Sequence, residues 1–219
     1  MRIGMVLDQH FPPDIRVHKE AMTLANSGFE IHLLAIGRGK EPQFEDMRFI
    51  KVHRFLNFSM GKFLSDLQIT LNFVTDFRMP IWEHRIRKFA LSNSINFLHV
   101  HDLPLFKSTY LIAKRLGIKI VLDLHENYPY AIREWKRIGR FSSLKLKFIY
   151  DLKRWLEYER WAVVRAENII VVVEEMKERL VEIHGISPKK IIVVPNTESF
   201  EFVNLPINQG IIKNYQNYF

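Results

Sequence analysis

Two short stretches of this 219-residue chain gather side chains that can exchange protons or hold hydroxyl groups. One is His125-Glu126-Asn127, directly after an apolar run at residues 118–124. The other is His99-Val100-His101-Asp102, one strand-and-helix unit earlier. Imidazole titrates near neutrality, so a histidine at such a place can accept a proton or donate to a substrate hydroxyl. A histidine that merely satisfies a loop carbonyl fits the same residues. Along an extended chain His101 and Asp102 point to opposite sides, while His99 and His101 share one. A shared side raises the question of a metal, but no third ligand follows at a convincing spacing, and none is expected. A third group, Asp14-Ile15-Arg16, closes the first loop. There Asp14 is placed to cap a helix whose N-terminus favours an anionic or hydroxyl-rich ligand.

These groups need elements to position them. Apolar runs that stop abruptly at polar residues are expected as buried parallel strands, and open α/β sheets bind ligands at the carboxyl ends of such strands. Strands are expected at residues 2–7, 30–35, 47–55, 97–100, 118–124, 168–173 and 191–194. Helices are expected at 17–27, 104–116, 144–166 and 174–184, with Gly28, Gly117 and Gly185 one residue past three of their ends. The first carries an apolar stripe of Val17, Ala21, Leu24 and Ala25, leaving His18, Lys19 and Glu20 outside it. Residues 128–143 read as a loop or broken helix. The alternation predicts a doubly wound, mostly parallel α/β sheet, Rossmann-like in form. Residues 1–196 form one domain in this reading, and 197–219 are a linker or the start of another.

Between residues 62 and 94 two helical patterns meet at Pro80. They mix Phe63, Leu64, Leu67, Phe73, Phe77, Ile81 and Trp82 with Lys62, Arg78, Arg85, Arg87 and Lys88. Core packing accounts for this pattern; so does an amphipathic surface lying on an anionic membrane. The formal net charge of +8 favours acidic partners of some kind.

The composition excludes several classes. With no cysteine there is no disulfide framework and no thiolate chemistry, which suits a cytoplasmic protein. No apolar run is long enough to span a membrane. Residues 9–17 contain no glycine, so the dinucleotide fingerprint is missing and NAD or FAD is not expected. P-loop, nucleophile-elbow and HExxH motifs are absent, as is any nucleic-acid-binding signature.

Taken together, several of these pieces resemble the N-terminal half of GT-B glycosyltransferases, in particular the retaining family 4. The carriers are Asp14-Ile15-Arg16-Val17-His18-Lys19-Glu20-Ala21, His99-Val100-His101-Asp102, Leu122-Asp123-Leu124-His125-Glu126, Glu159-Arg160 with Ala166-Glu167-Asn168-Ile169-Ile170-Val171, and Lys190-Ile191-Ile192-Val193-Val194-Pro195-Asn196. Val173 and Glu167 depart from the serine and aspartate usual there. The resemblance implies one lobe of a GT-B fold: the acceptor-binding half of an enzyme moving sugar from a nucleotide-sugar to a hydroxyl acceptor, such as a glycan or lipid-linked sugar. It implies His125 as the group at the transferred sugar, with Asp14, Arg16, His101, Asp102, Glu126 and Asn127 lining the acceptor side. It implies neither metal nor other cofactor, and a donor-binding C-terminal domain in a separate lobe, without which transfer is not expected. A lipid-linked acceptor would put the protein at the inner face of the membrane. The competing readings are a non-catalytic basic α/β module for a membrane surface or protein partner, and a flavodoxin-type binding domain.

Overall fold

The computed structural model describes residues 1–56, 76–137 and 151–197. Eight strands form one sheet in the order β3-β4-β2-β1-β5-β6-β7-β8. They are β1 (Arg2–His10), β2 (Glu30–Gly37), β3 (Phe44–Asp46), β4 (Ile50–Leu56), β5 (Phe97–His101), β6 (Lys119–Leu124), β7 (Asn168–Val171) and β8 (Ile191–Val193). Every pairing is parallel except β3 with β4. The chain runs outward from β1 to β4, then returns to β5 on the other side of β1. That reversal is the switch point at which open α/β sheets form their ligand crevice.

Six helices are described: α1 (Ile15–Asn26), α2 (Pro80–Ser92), α3 (Phe106–Leu116), α4 (Tyr128–Arg137), α5 (Leu152–Arg165) and α6 (Glu174–His184). The strands alternate their side chains between two cores. Ile3, Met5 and Leu7 of β1 face Val17 and Ala21 of α1, while Val6 joins Leu98, Val100, Leu122 and Ile169 against the helices of the opposite face. Gly4 sits where α2 crosses β1: a Cβ there would lie 2.9 Å from both Phe89 and Ile95, so the crossing needs a residue without one.

Several expectations shift. Residues 47–55 are not one strand. Arg48 adopts a left-handed φ of 65°, and a short hairpin of β3 and β4 forms around it. Its tie is the buried Arg54, which pairs with Glu45 at 2.7 Å and donates to the Phe11 carbonyl at 2.9 Å. Residues 128–137 are a helix, capped by the Asn127 carbonyl. α5 is described from Leu152, where Asp151 is extended and its carboxylate accepts from Lys153 N; the part of that expected helix at 144–150 lies outside the described residues. The expected patterns at 62–75, 138–150 and 200–219 lie outside the described residues. Pro80 opens α2 rather than interrupting a helix, and Trp82, Ile86 and Phe89 are buried, so this aromatic face is core. Among the described residues no helix is long and apolar enough to cross a membrane.

Candidate functional site

β5 and β6 lie side by side with His101 opposite Asp123 and His99 opposite Val121. Alternation therefore sends His99, His101 and Asp123 to the α1 face, and His125, two residues beyond Asp123, follows them. α1 crosses above, and Asp14 sets where it begins: the Asp14 carboxylate accepts from Arg16 N and Val17 N at 3.1 and 3.2 Å. Glu20 then comes down onto the histidines from α1.

The result is a cluster centred on one carboxylate oxygen. Asp123 Oδ2 lies 3.0 Å from His99 Nε2, 3.3 Å from His125 Nε2 and 3.4 Å from His101 Nδ1. His101 Nδ1 and His125 Nε2 are 3.1 Å apart, and the Glu20 carboxylate stands 3.8–3.9 Å from all three rings. His101 and Asp123 are fully buried and the His125 side chain is 1% exposed. Asp102 clamps the arrangement. With a left-handed φ of 63° it accepts from His125 N at 3.1 Å while its own N–H donates to the Asp123 carbonyl.

Protonation follows from this crowding. Burial opposes the Asp123 charge, yet hydrogen bonds from His101, His125 and His99 hold it well below the usual carboxylate range. Burial likewise opposes charge on His125, but Asp123, helped by Asp102 and Glu20, lifts it to about 9. His101 is pushed down to about 4 by burial and by His99. Burial and the Asp123 charge raise Glu20 to about 8. At the switch point, burial raises Asp102 to about 6, and burial with the Asp102 charge raises Asp8 to about 7. Divergent titration of this kind is shared by working sites and by buried ion-pair networks, and here it falls in the fold's ligand crevice.

The expected residues are thus divided. His101, Asp102 and His125 come together. Asp14 and Arg16 stand at the start of α1, paired at 3.4 Å, as the cap expected of Asp14 and its neighbour. Glu126 is exposed and outside the cluster, and Asn127 serves α4 through its carbonyl. A cavity of about 460 Å³ opens between α1, the sheet face formed by β1, β5, β6 and β7, and residues 194–197, with Arg16, Lys19, Glu20 and His99 on its polar side. His101, Asp123 and His125 form a buried knot, and Glu20 and His99 link it to this cavity.

Sequence reading missed two members, and both carried a signal. Glu20 is three residues after Val17 and four before Leu24, hence on the edge of the buried stripe rather than outside it. Asp123 is the one charge within the apolar run 120–124, on the same side as His125.

A model of Glycosyltransferase Family 4 matches residues 15–197. The chain belongs to that family. No curated protein matches it. Among solved structures, sucrose-phosphate synthase from Thermosynechococcus elongatus superposes with a TM-score of 0.61 at 12% identity, covering 100% of this chain and 99% of that one. A glycosyltransferase from Rickettsia africae gives 0.53 at 16%, covering 99% of this chain and 49% of that one. Os79 from O. sativa, in complex with UDP and deoxynivalenol-3-glucoside, gives 0.62 at 10%, covering 98% and 57%. This family 4 chain therefore has the Rossmann-like fold of a GT-B lobe and spans about half the length of the latter two proteins.

Proposed function

We propose that this family 4 chain is the acceptor-side lobe of a glycosyltransferase, moving sugar from a nucleotide-sugar to a hydroxyl acceptor. The observation that carries it is the assembly of His101, Asp102, Asp123 and His125 at the carboxyl ends of β5 and β6, beside the switch point of a family 4 fold. The rice protein's complex with UDP and a glucoside supports a nucleotide-sugar donor, by analogy of fold.

In this reading His125 positions the sugar. Its Nε2 is committed to the cluster, while its buried Nδ1 has no hydrogen-bond partner among the described residues and is the ring atom left to meet a sugar hydroxyl. An imidazole lifted to about 9 donates at neutral pH and is a poor base, so it holds a hydroxyl rather than deprotonating it. Asp14 and Arg16 at the helix start, with Asp102, Glu126 and Asn127 on the strand-end loops, form the acceptor side. The donor's nucleotide belongs to a second lobe, in keeping with the 49% and 57% coverage of the two longer proteins.

Calorimetric titration with UDP-sugars tests this reading. Residues 1–219 alone should bind them weakly and transfer no sugar to simple hydroxyl acceptors. Tight one-to-one binding by this chain would sink the division of labour.

A further inference from the structure

We propose that Glu20, His101, Asp123 and His125 bind one divalent transition-metal ion of the zinc class. This goes beyond the sugar-transfer reading and does not depend on it. One atom from each residue lies within 4.8 Å of the others. Three of those atoms, His101 Nδ1, His125 Nε2 and Asp123 Oδ2, are separated by 3.1, 3.3 and 3.4 Å. Zinc bonds of about 2.0–2.2 Å place tetrahedral ligands roughly 3.3–3.6 Å apart. The three atoms thus match one face of a tetrahedron. Glu20, with oxygens 3.8 and 3.9 Å from the two ring nitrogens, stands at the fourth corner on a side chain with room to close.

A proton serves these atoms less well than a cation. Two imidazole nitrogens 3.1 Å apart share a single proton, whereas an ion between them takes both lone pairs. Glu20 Oε2 is buried without a hydrogen-bond partner among the described residues, and an ion would give it one. Surrounding groups hold the ligands in place as they do in metal sites: His99 Nε2 donates to Asp123 at 3.0 Å, and Asp102 anchors the His125 backbone at 3.1 Å. Two imidazoles with two carboxylates suit zinc, cobalt or nickel, whereas magnesium and calcium prefer oxygen alone. Glu20 and His99 line the neighbouring cavity, which supplies an entry path. A metal on Nε2 leaves His125 with its proton on Nδ1, the atom assigned to the sugar hydroxyl. Spacing along the chain hid the set, because only His101 lies on β5, while Asp123 is on β6, His125 follows it and Glu20 is on α1.

The test uses the whole chain, stripped of metal by chelator and dialysis. It is titrated with Zn²⁺ against a chromophoric chelator and with Co²⁺ under visible absorption. One equivalent of Zn²⁺ should bind and raise the melting temperature, and Co²⁺ should give the intense bands of a tetrahedral complex. Glu20→Gln, on the half-buried side of α1, should weaken binding at least about tenfold. His125→Asn should do the same, and the exposed His18→Ala should change nothing. Absence of binding by folded wild-type chain overturns the proposal, as does equal affinity in Glu20→Gln and His125→Asn. Since neither readout involves sugar, a failed UDP-sugar titration leaves this result standing.

Discussion

Glu159 and Asp123 are both fully buried carboxylates, and their surroundings differ in kind. Glu159, on α5, receives both arms of Arg179 at 2.9 and 2.6 Å and His184 Nε2 at 2.7 Å, all from α6. Each of its oxygens has a partner, and its principal partner is a permanent cation of matching shape. Asp123 has three imidazoles crowded on one oxygen while Oδ1 has no hydrogen-bond partner among the described residues. Its partners are imidazoles, which unlike a guanidinium can exist in charged or neutral form. The first arrangement can do one thing, which is to lock α5 to α6. The second has unfilled valences and adjustable charge, which is what a ligand needs.

The largest effect should come from neutralising each carboxylate in turn. Glu159→Gln leaves Arg179, 15% exposed and unable to deprotonate, without its counter-charge, and should destabilise the chain by about 3–5 kcal/mol. Asp123→Asn should cost less, about 1–3 kcal/mol, because His125, unlike Arg179, can shed its proton. Urea unfolding of the two variants in metal-free buffer measures both. A greater loss in Asp123→Asn would reverse the assignment of structural and functional carboxylate.

Acid sharpens the same contrast at the Glu159 end. Burial works against its charge, but His184 and Arg179 hold its folded pKa below the ordinary 4.5. A depressed carboxylate contributes stability that is present above its unfolded pKa and is lost as pH falls through the folded one. Wild-type stability should therefore decline below about pH 4.5, and the decline should be shallower in Glu159→Gln. Parallel acid limbs in the two proteins would show that other carboxylates govern acid unfolding.

How far these differences were legible depended on distance along the chain. Strand and helix identities follow from local periodicity, and α6 from Glu174 to His184 is placed to the residue because Gly185, at φ 67°, ends it. The hairpin at Phe44–Leu56 was hidden because its cause, Arg54 reaching Phe11 and Glu45, is not local. His101, Asp102 and His125 were legible as strand-end groups, since parallel neighbours end at the same edge. Glu20 and Asp123 were not, because their partners lie on other elements. Parity and helical spacing nonetheless put both on the correct side. The Glu159 lock escaped notice altogether: it needs the crossing of α5 and α6, which no spacing reveals.

The helix starts behind the two carboxylates differ as well. α1, which delivers Glu20, is capped by Asp14; α6, which delivers Arg179, begins at Val173 with no side-chain cap. Asp14→Ala should cost about 0.5–2 kcal/mol, and Asp14→Asn, which keeps the acceptor, much less. If both variants lose acceptor binding while only Asp14→Ala loses stability, Asp14 acts on the ligand as well as on the helix.

The smallest expected effect is a gain. Val173 is extended, at φ −145° and ψ 153°, which is the backbone an N-cap requires, and its side chain is 47% exposed. Little apolar burial is lost on replacing it, and a hydroxyl there can accept one of the free N–H groups in the first turn of α6. Val173→Ser should therefore stabilise the chain by about 0.5–1 kcal/mol, on top of the favourable charge already supplied by Glu174 and Glu175. The gain should persist at pH 3 if it comes from the cap alone. It should shrink in Glu159→Gln if the firmer helix works by seating Arg179 on Glu159. A double-mutant cycle between positions 173 and 159 separates these outcomes, and coupling near zero would show that the Glu159 lock is indifferent to how α6 begins.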